Sequence, residues 1–495
     1  MNSWLAIALI ALAGWKPLRA ALSSRMAVAY PQVSSKLRWA FVALAAGVAA
    51  AAVFAPSLLT AGAAAALLLA VAELWYARPA WGRRRGLPPG SLGIFPANWA
   101  DDRFYLRQAG RHGPVFKTSN FLRPTACIVG LERGYSLLRE SGDKLETPRL
   151  PFADNAPGGL LRYMKGAVHE RYRGILRGAL NPQTVDVFSP RFSSAARGAL
   201  AGMAEQCGAE KCGLEPAPLV DELLLDIWLP LFFAIEPGSD SGRRIRSLLP
   251  LLDSNSPAAN RPEVIRKAVA TIAGLVEEET SRWGPSPPPC LLSAVMAVNE
   301  SDARDPVVVG NLMFLLRTTS SDMRGLLCWL LYMMCENPAW LERLAAEPET
   351  SQSAGAESLA TRMVMETLRL RQSEYLYREA VADIEFGGYR IPCGWLVRIC
   401  VWESHRDPQV FAEPDEFNPD RFLGRSFSRY EYSPLGALGH ACLAGHLVMR
   451  VGSAFLSELA RGYEVHAAAP GTIELGSYRH WKPAPSWRIR LSPRR

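Results

Sequence analysis

Near the C-terminus, the run SPLGALGHACLAGH (433–446) sets Cys442 among glycines and two histidines. A cysteine in this setting has three chemistries open to it. With His440 and His446 it could bind zinc, but a structural zinc site takes four ligands, in two spaced pairs, and no neighbouring Cys or His completes the set. It could be an inert buried thiol, the usual state of a single intracellular cysteine. Its thiolate could instead be held by an iron centre. Backbone N–H groups aimed at the sulfur would then tune its charge, and glycines would allow a flat ligand to approach closely.

Three upstream segments bear on that choice. METLRL carries Glu366 and Arg369 at an i, i+3 spacing, which puts carboxylate and guanidinium on one helix face. FNPDRF carries Arg421, and GAVHERYRGILRGALNP carries His169 and Arg173 four apart on a predicted helix. Taken singly, these are also what a surface ion pair and a solvated basic helix face look like. In this order, with Cys442 last, they resemble the signature of the cytochrome P-450 family from roughly Leu87 to the C-terminus. The resemblance implies a mainly α fold with small β-sheets. It also implies haem b with Cys442 as axial thiolate, and a buried triad of Glu366, Arg369 and Arg421 locking the loop under the haem. His169, Arg173, Arg378 and His440 would be its further contacts, the first three meeting propionates.

The segment NLMFLLRTTSSDMRGLLCWLLYMMCENP matches the family's central helix but departs from its oxygen-handling motif. Most monooxygenases carry there a small pair followed by an acid and an alcohol, which relay protons to dioxygen. Here the positions read Thr318-Thr319-Ser320-Ser321-Asp322. Thr318, Thr319, Ser321 and Asp322 are the candidate relay, with the acid and alcohol roles exchanged. The alternative is that the hydroxyls only bond back to carbonyls one turn earlier. The cysteine loop departs too: Leu435 stands where an aromatic is usual, and Leu438 and Ala444 stand where glycines are usual.

The resemblance implies a haem-thiolate monooxygenase that inserts one oxygen atom from dioxygen into a lipophilic small molecule, such as a terpenoid, lipid or other specialised metabolite. No GxGxxG fingerprint for flavin or nicotinamide occurs. The electrons would come from a separate NAD(P)H-dependent reductase or a ferredoxin-type donor. The altered central helix opens a rival, an enzyme of the same fold that rearranges hydroperoxides or uses peroxide. A degenerate haem-binding sensor is a third reading.

The remaining chain agrees with a globular body. It has 495 residues, 49% apolar and 21% charged, enough for a large core rather than disorder. A formal charge of +8, with arginines scattered, gives no nucleic-acid-binding pattern. Nine irregularly spaced cysteines suit a reducing compartment. FKTSNFLRPTACIVG predicts two strands, and the stretch after Arg378 predicts a small antiparallel sheet with turns at Gly387-Gly388 and Pro392-Cys393-Gly394. Glu374 and Tyr375 are candidates for polar groups in the pocket, and Pro151–Gly159 for a loop lining it.

The N-terminus is different material. Before Glu73 there is no acidic residue, and apolar stretches run over 39–55 and 58–76. Each is just long enough to cross a hydrocarbon core of about 30 Å. Lys36 and Arg38 flank the pair on one side, and Arg78 with Arg83 to Arg85 on the other. This reads as a helical hairpin anchor over 1–77 preceding a haem domain over 78–495. The haem domain would lie on the cytosolic side, at the endoplasmic reticulum in a eukaryote or the inner membrane in a bacterium.

Overall fold

The computed structural model describes residues 86–92, 103–120, 123–148, 159–209, 213–252, 262–299, 305–347, 357–371, 376–436, 438–468, 471, 473–475 and 481–494. The predicted anchor over 1–77, Pro151 to Gly158, and Glu374 and Tyr375 lie outside them. Among the described residues, no helix is long and apolar enough to cross a membrane.

In chain order, the helices of nine or more residues among the described residues are α1 (Phe104–His112), α2 (Leu131–Glu140), α3 (Gly166–Ala179), α4 (Ser189–Ala209), α5 (Ala217–Phe233) and α6 (Asp240–Leu252). There follow α7 (Pro262–Ser281), α8 (Leu291–Asn299), α9 (Pro306–Glu336), α10 (Pro338–Ala346), α11 (Leu359–Leu370) and α12 (Gly445–Gly462). The strands that matter here are β1 (Val115–Asn120), β2 (Arg123–Ile128), β3 (Leu145–Glu146), β4 (Leu376–Ala380), β5 (Ile384–Phe386), β6 (Tyr389–Ile391), β7 (Leu396–Ile399), β8 (Tyr463–Ala467) and β9 (Ile489–Pro493).

The chain divides into two compact units. One takes the chain up to Pro148 together with Tyr375–Asp407 and Glu474–Trp481. Its centre is a five-stranded sheet in the order β1-β2-β7-β4-β3. β1 and β2 pair antiparallel, as do β4 and β7, but β2 and β7 run parallel with Cys127 opposite Arg398. The small antiparallel sheet expected after Arg378 is therefore two things. β4 and β7 join the larger mixed sheet, and only β5 and β6 form a separate hairpin. Its turn is Gly387-Gly388, both at positive φ (59° and 79°), the geometry that matches strand twist and that β-carbons resist.

The second unit holds Arg149–Glu374, Pro408–Ile473 and Lys482–Arg495 and is largely helical. α9 is 31 residues long, about 46 Å at 1.5 Å per residue. Its start is specified locally: Asp305 Oδ1 accepts from Val307 N at 2.8 Å, and Pro306 opens the first turn without needing a partner for an N–H. It ends at Asn337, after which Pro338 starts α10. α9 packs on α5, α11 and α12; α12 packs in turn on α4 and α11, and β8 pairs antiparallel with β9. Val448, Val451, Phe455, Leu456 and Leu459 of α12 are buried, the i, i+3, i+4 spacing of an inward face.

The α11–α12 contact is close because of one glycine. A β-carbon at Gly452 would lie 2.9 Å from Cγ2 of Val364, a β-branched side chain with little room to turn. Gly452→Ala is expected to lower stability by about 1–3 kcal/mol in urea melts, the overpacking cost of a well-filled core. Gly462→Ala, where a β-carbon would meet nothing within 4 Å, should cost less.

Candidate functional site

The most deeply buried ion cluster lies between α11 and the segment that leads to the cysteine loop. Glu366 and Arg369 are both fully buried. The Arg369 guanidinium grips the carboxylate with two bonds, Nε to Oε2 at 2.7 Å and Nη2 to Oε1 at 2.8 Å. Arg421 Nε donates to the same Oε1 at 2.9 Å, and so does the Asn418 N–H at 2.9 Å. The outer guanidinium hydrogens reach backbone carbonyls: Arg369 to Pro414 and Glu416, Arg421 to Ala412. One carboxylate and two guanidiniums thus fasten the chain over 412–421, irregular up to the short turn Pro419–Phe422, onto α11. Phe411 lies beneath Arg369, with the guanidinium carbon 4.9 Å from the ring centroid.

From there the chain is led to the cysteine by a residue that sequence reasoning missed. The Tyr432 hydroxyl donates to Met365 O at 2.8 Å, and its ring packs edge-on against Phe422. Burial pushes its pKa far above the ordinary phenol range, with Glu366 adding to the rise, so it remains a donor. An aromatic ten residues before a cysteine has no spacing signal that would have singled it out. Next, Ser433 Oγ donates to Gly436 O at 2.9 Å, and Cys442 N to Leu435 O at 2.9 Å. Gly436 and Leu438 both take left-handed backbone (φ 75° and 61°). For Leu438, one of the positions where the family usually has glycine, this conformation is strained.

The loop delivers Cys442 exposed, three residues before the 18-residue helix α12. The partial positive charge at the start of that helix favours a thiolate. α3 brings a guanidinium and an imidazole to the same loop. Arg173 Nη2 donates to Ala441 O at 3.0 Å, and the His169 and His440 rings lie 4.8 Å apart, tilted by 41°. His169 is buried, and its Nε2 finds no hydrogen-bond partner among the described residues. Burial lowers its pKa below the ordinary 6.5, and Arg173 lowers it further against the opposing Glu170. Burial also lowers the Arg173 pKa, with Arg177 in the same sense and Cys442 opposing. An exposed thiol beside two imidazoles and a guanidinium, one imidazole nitrogen buried without a partner, is a donor set that fits a haem, whose iron takes sulfur and whose propionates take cations.

The other candidates fall as follows. Thr318 Oγ1 donates to Phe314 O at 3.0 Å and to Leu315 O at 3.1 Å, and Ser320 Oγ to Leu316 O at 2.7 Å, so both hydroxyls bond back along α9. Thr319 is buried, while Ser321 and Asp322 are exposed. Arg378 sits on β4, in the first unit, and its Nη1 donates to Tyr377 O at 2.8 Å. Thus His169, Arg173, His440 and Cys442 come together, as do Glu366, Arg369 and Arg421, whereas Thr318 and Asp322 share a face of α9.

Two outcomes follow from this geometry. Glu366→Ala leaves two buried guanidiniums without their carboxylate and should cost about 3–5 kcal/mol, read by chemical denaturation. Leu438→Gly relieves a left-handed leucine and should raise the melting temperature, by an amount equivalent to about 1 kcal/mol or less.

The family model described as Cytochrome P-450 matches residues 316–474, which hold α9 from Leu316 onward, the triad and the cysteine loop. The chain is 23% identical over 412 residues to abscisic acid 8'-hydroxylase 3 of Oryza sativa subsp. indica, covering 76% of this chain and 81% of that one. It is 25% identical over 408 residues to taxane 13-alpha-hydroxylase of Taxus cuspidata, covering 72% and 81%. Among solved structures, retinoic acid-bound cyanobacterial CYP120A1 superposes with a TM-score of 0.67 at 20% identity, covering 83% of this chain and all of that one, a likeness of fold. With its cysteine loop, ion triad and helical body on the matching segment, the chain is similar to the cytochrome P-450 family of haem-thiolate monooxygenases.

Proposed function

We propose that the chain is a membrane-attached monooxygenase that places one oxygen atom from dioxygen into a lipophilic small molecule of terpenoid or lipid character, drawing electrons from a separate reductase. The observation that carries this is the exposed Cys442 at the head of α12, with His169, Arg173 and His440 beside it. In this reading the Cys442 thiolate would hold the iron of haem b, and His169, Arg173, Arg378 and His440 would hold its propionates or edge. When bound, the haem supplies the redox chemistry that splits the O–O bond. The relatives act on abscisic acid and a taxane, as their names say, which supports a terpenoid-like substrate. Attachment rests on the acid-free, apolar residues ahead of Glu73.

The chain's own residues then have distinct tasks. Glu366, Arg369 and Arg421 keep the cysteine loop in place. Arg173 anchors the loop directly through Ala441. Exposed Asp322 and Ser321 are the groups on α9 positioned to hold and pass protons, with Thr318 and Thr319 flanking them. The back-bonding of Thr318 and Ser320 is the specific observation that favours the second reading, in which the enzyme handles peroxides and needs no relay.

Turnover of a lipophilic panel under two regimes separates the readings: reductase with NADPH and dioxygen, against added hydroperoxide without electrons. Product in the first is expected. Asp322→Asn should then lower product formation by about 10²-fold, the usual scale for a general acid–base group, while leaving the ferrous–carbon monoxide spectrum intact. Product in the second regime alone would establish peroxide use and remove the relay from α9.

A further inference from the structure

α9 buries a polar side chain that the ion cluster and the cysteine loop do not use. Asn311 is 1% exposed. Its Oδ1 accepts from Leu161 N at 2.6 Å, and its Nδ2 donates to Gly159 O at 3.1 Å and to Val307 O of its own helix at 2.8 Å. A carboxamide has two donors and one acceptor oxygen, and all are engaged. The first two partners belong to peptides two residues apart in irregular chain, where a buried N–H and C=O would otherwise lack partners. Asn311 thus holds the 159–161 backbone as a neighbouring strand would, by one donated and one accepted bond.

The place of this clamp along α9 gives it meaning. Asn311 and Thr318 are seven apart, nearly two turns, so they share a face with Phe314, Ser321 and Asp322. That face is covered at Asn311 and opens further along, with Phe314 and Thr318 half-buried and Ser321 and Asp322 exposed. The clamped backbone is therefore the edge at which the open stretch begins. It leads through the turn Leu161–Tyr163 into α3, which carries His169 and Arg173. A second tie runs the same way, since the Tyr172 hydroxyl donates to Asp305 Oδ2 at 3.4 Å beside the start of α9.

We infer that Asn311 is a specificity-determining positioning residue: by clamping Gly159 and Leu161 it sets the wall at the N-terminal end of the open face of α9, and so limits the size of molecule that fits beside the haem. The inference rests on the haem-thiolate reading given above. Gly159 matters from the other side of the same contact. Its φ of +90° suits glycine, and a β-carbon there would meet nothing within 4 Å, so Gly159→Ala disturbs the wall through its backbone alone.

The test uses holoenzyme of wild type, Asn311→Asp and Gly159→Ala, titrated spectroscopically with imidazole and with the bulkier phenylimidazole. Amide hydrogen exchange at Leu161 is followed in parallel. Asn311→Asp keeps the shape and the acceptor for Leu161 but turns the donor to Gly159 and Val307 into a repelling oxygen. Both variants should hold imidazole affinity within about twofold and change phenylimidazole affinity by about tenfold, the scale of one lost buried hydrogen bond. Leu161 exchange should quicken. Equal shifts for both azoles would make Asn311 a general structural residue and overturn the inference, as would no shift for either. If Asn311→Asp does not retain haem, Gly159→Ala decides by the same comparison. A wild-type protein without a thiolate-type ferrous–carbon monoxide spectrum would overturn the haem reading itself, an outcome visible before any variant is made.

Discussion

The Glu366 carboxylate is the point from which the cysteine loop is built. Buried ions are costly unless their hydrogen bonds are complete, and here each group is close to saturated. Oε1 accepts from two guanidiniums and a backbone N–H, and Oε2 takes the remaining Arg369 bond. The two arginines exceed the one carboxylate by a full charge, and the surplus is spread over the carbonyls of Ala412, Pro414 and Glu416 and the face of Phe411. The cluster is thus a device for fixing irregular chain rather than a plain source of stability. A hydrophobic replacement could fill the space but could not direct three carbonyls and an N–H.

Rigidity reaches Cys442 in steps from that cluster. Tyr432 ties the chain to α11 through Met365 O, Ser433 closes on Gly436, and Leu435 O receives the Cys442 N–H. Arg173 then grips Ala441 from α3. Strain at Leu438 is tolerable because both sides of it are held. A thiolate that must keep one direction toward a metal benefits from this arrangement, since a loop free to turn would trade the helix dipole of α12 for water.

Much of this was legible in the residues, and what was not has a physical reason. The i, i+3 spacing of Glu366 and Arg369, and the i, i+4 spacing of His169 and Arg173, are local, so periodicity placed them on helices that the fold contains. Gly387-Gly388 announced its hairpin for the same reason. The parallel pairing of β2 with β7 joins residues far apart in sequence, and nothing within either strand distinguishes parallel from antiparallel partners. Tyr432 and Asn311 act through backbone groups, which carry no sequence signal. The expected membrane anchor rests on composition alone, because residues 1–77 lie outside the described residues.

A buried arginine also organises the first unit, and it shows how the same physics serves a different end. Arg398 of β7 is 2% exposed; its Nη2 pairs with Glu403 at 2.9 Å, its Nη1 donates to Cys400 Sγ at 3.1 Å, and its guanidinium carbon lies 3.6 Å from the Tyr105 ring centroid. Glu403 and Cys400 hold it charged against the desolvation that would lower its pKa. As with Arg369, a carboxylate and an aromatic face share one guanidinium, a group whose flat, weakly hydrated shape suits stacking and forked bonding together. Here the partners come from α1 and from the short helical turn that follows β7, so the ion secures packing between an element and a sheet. In the second unit it secures a loop. Lysine, a compact and strongly hydrated point charge, could meet the carboxylate in either place but could not pair with it through a planar fork while lying flat on the ring.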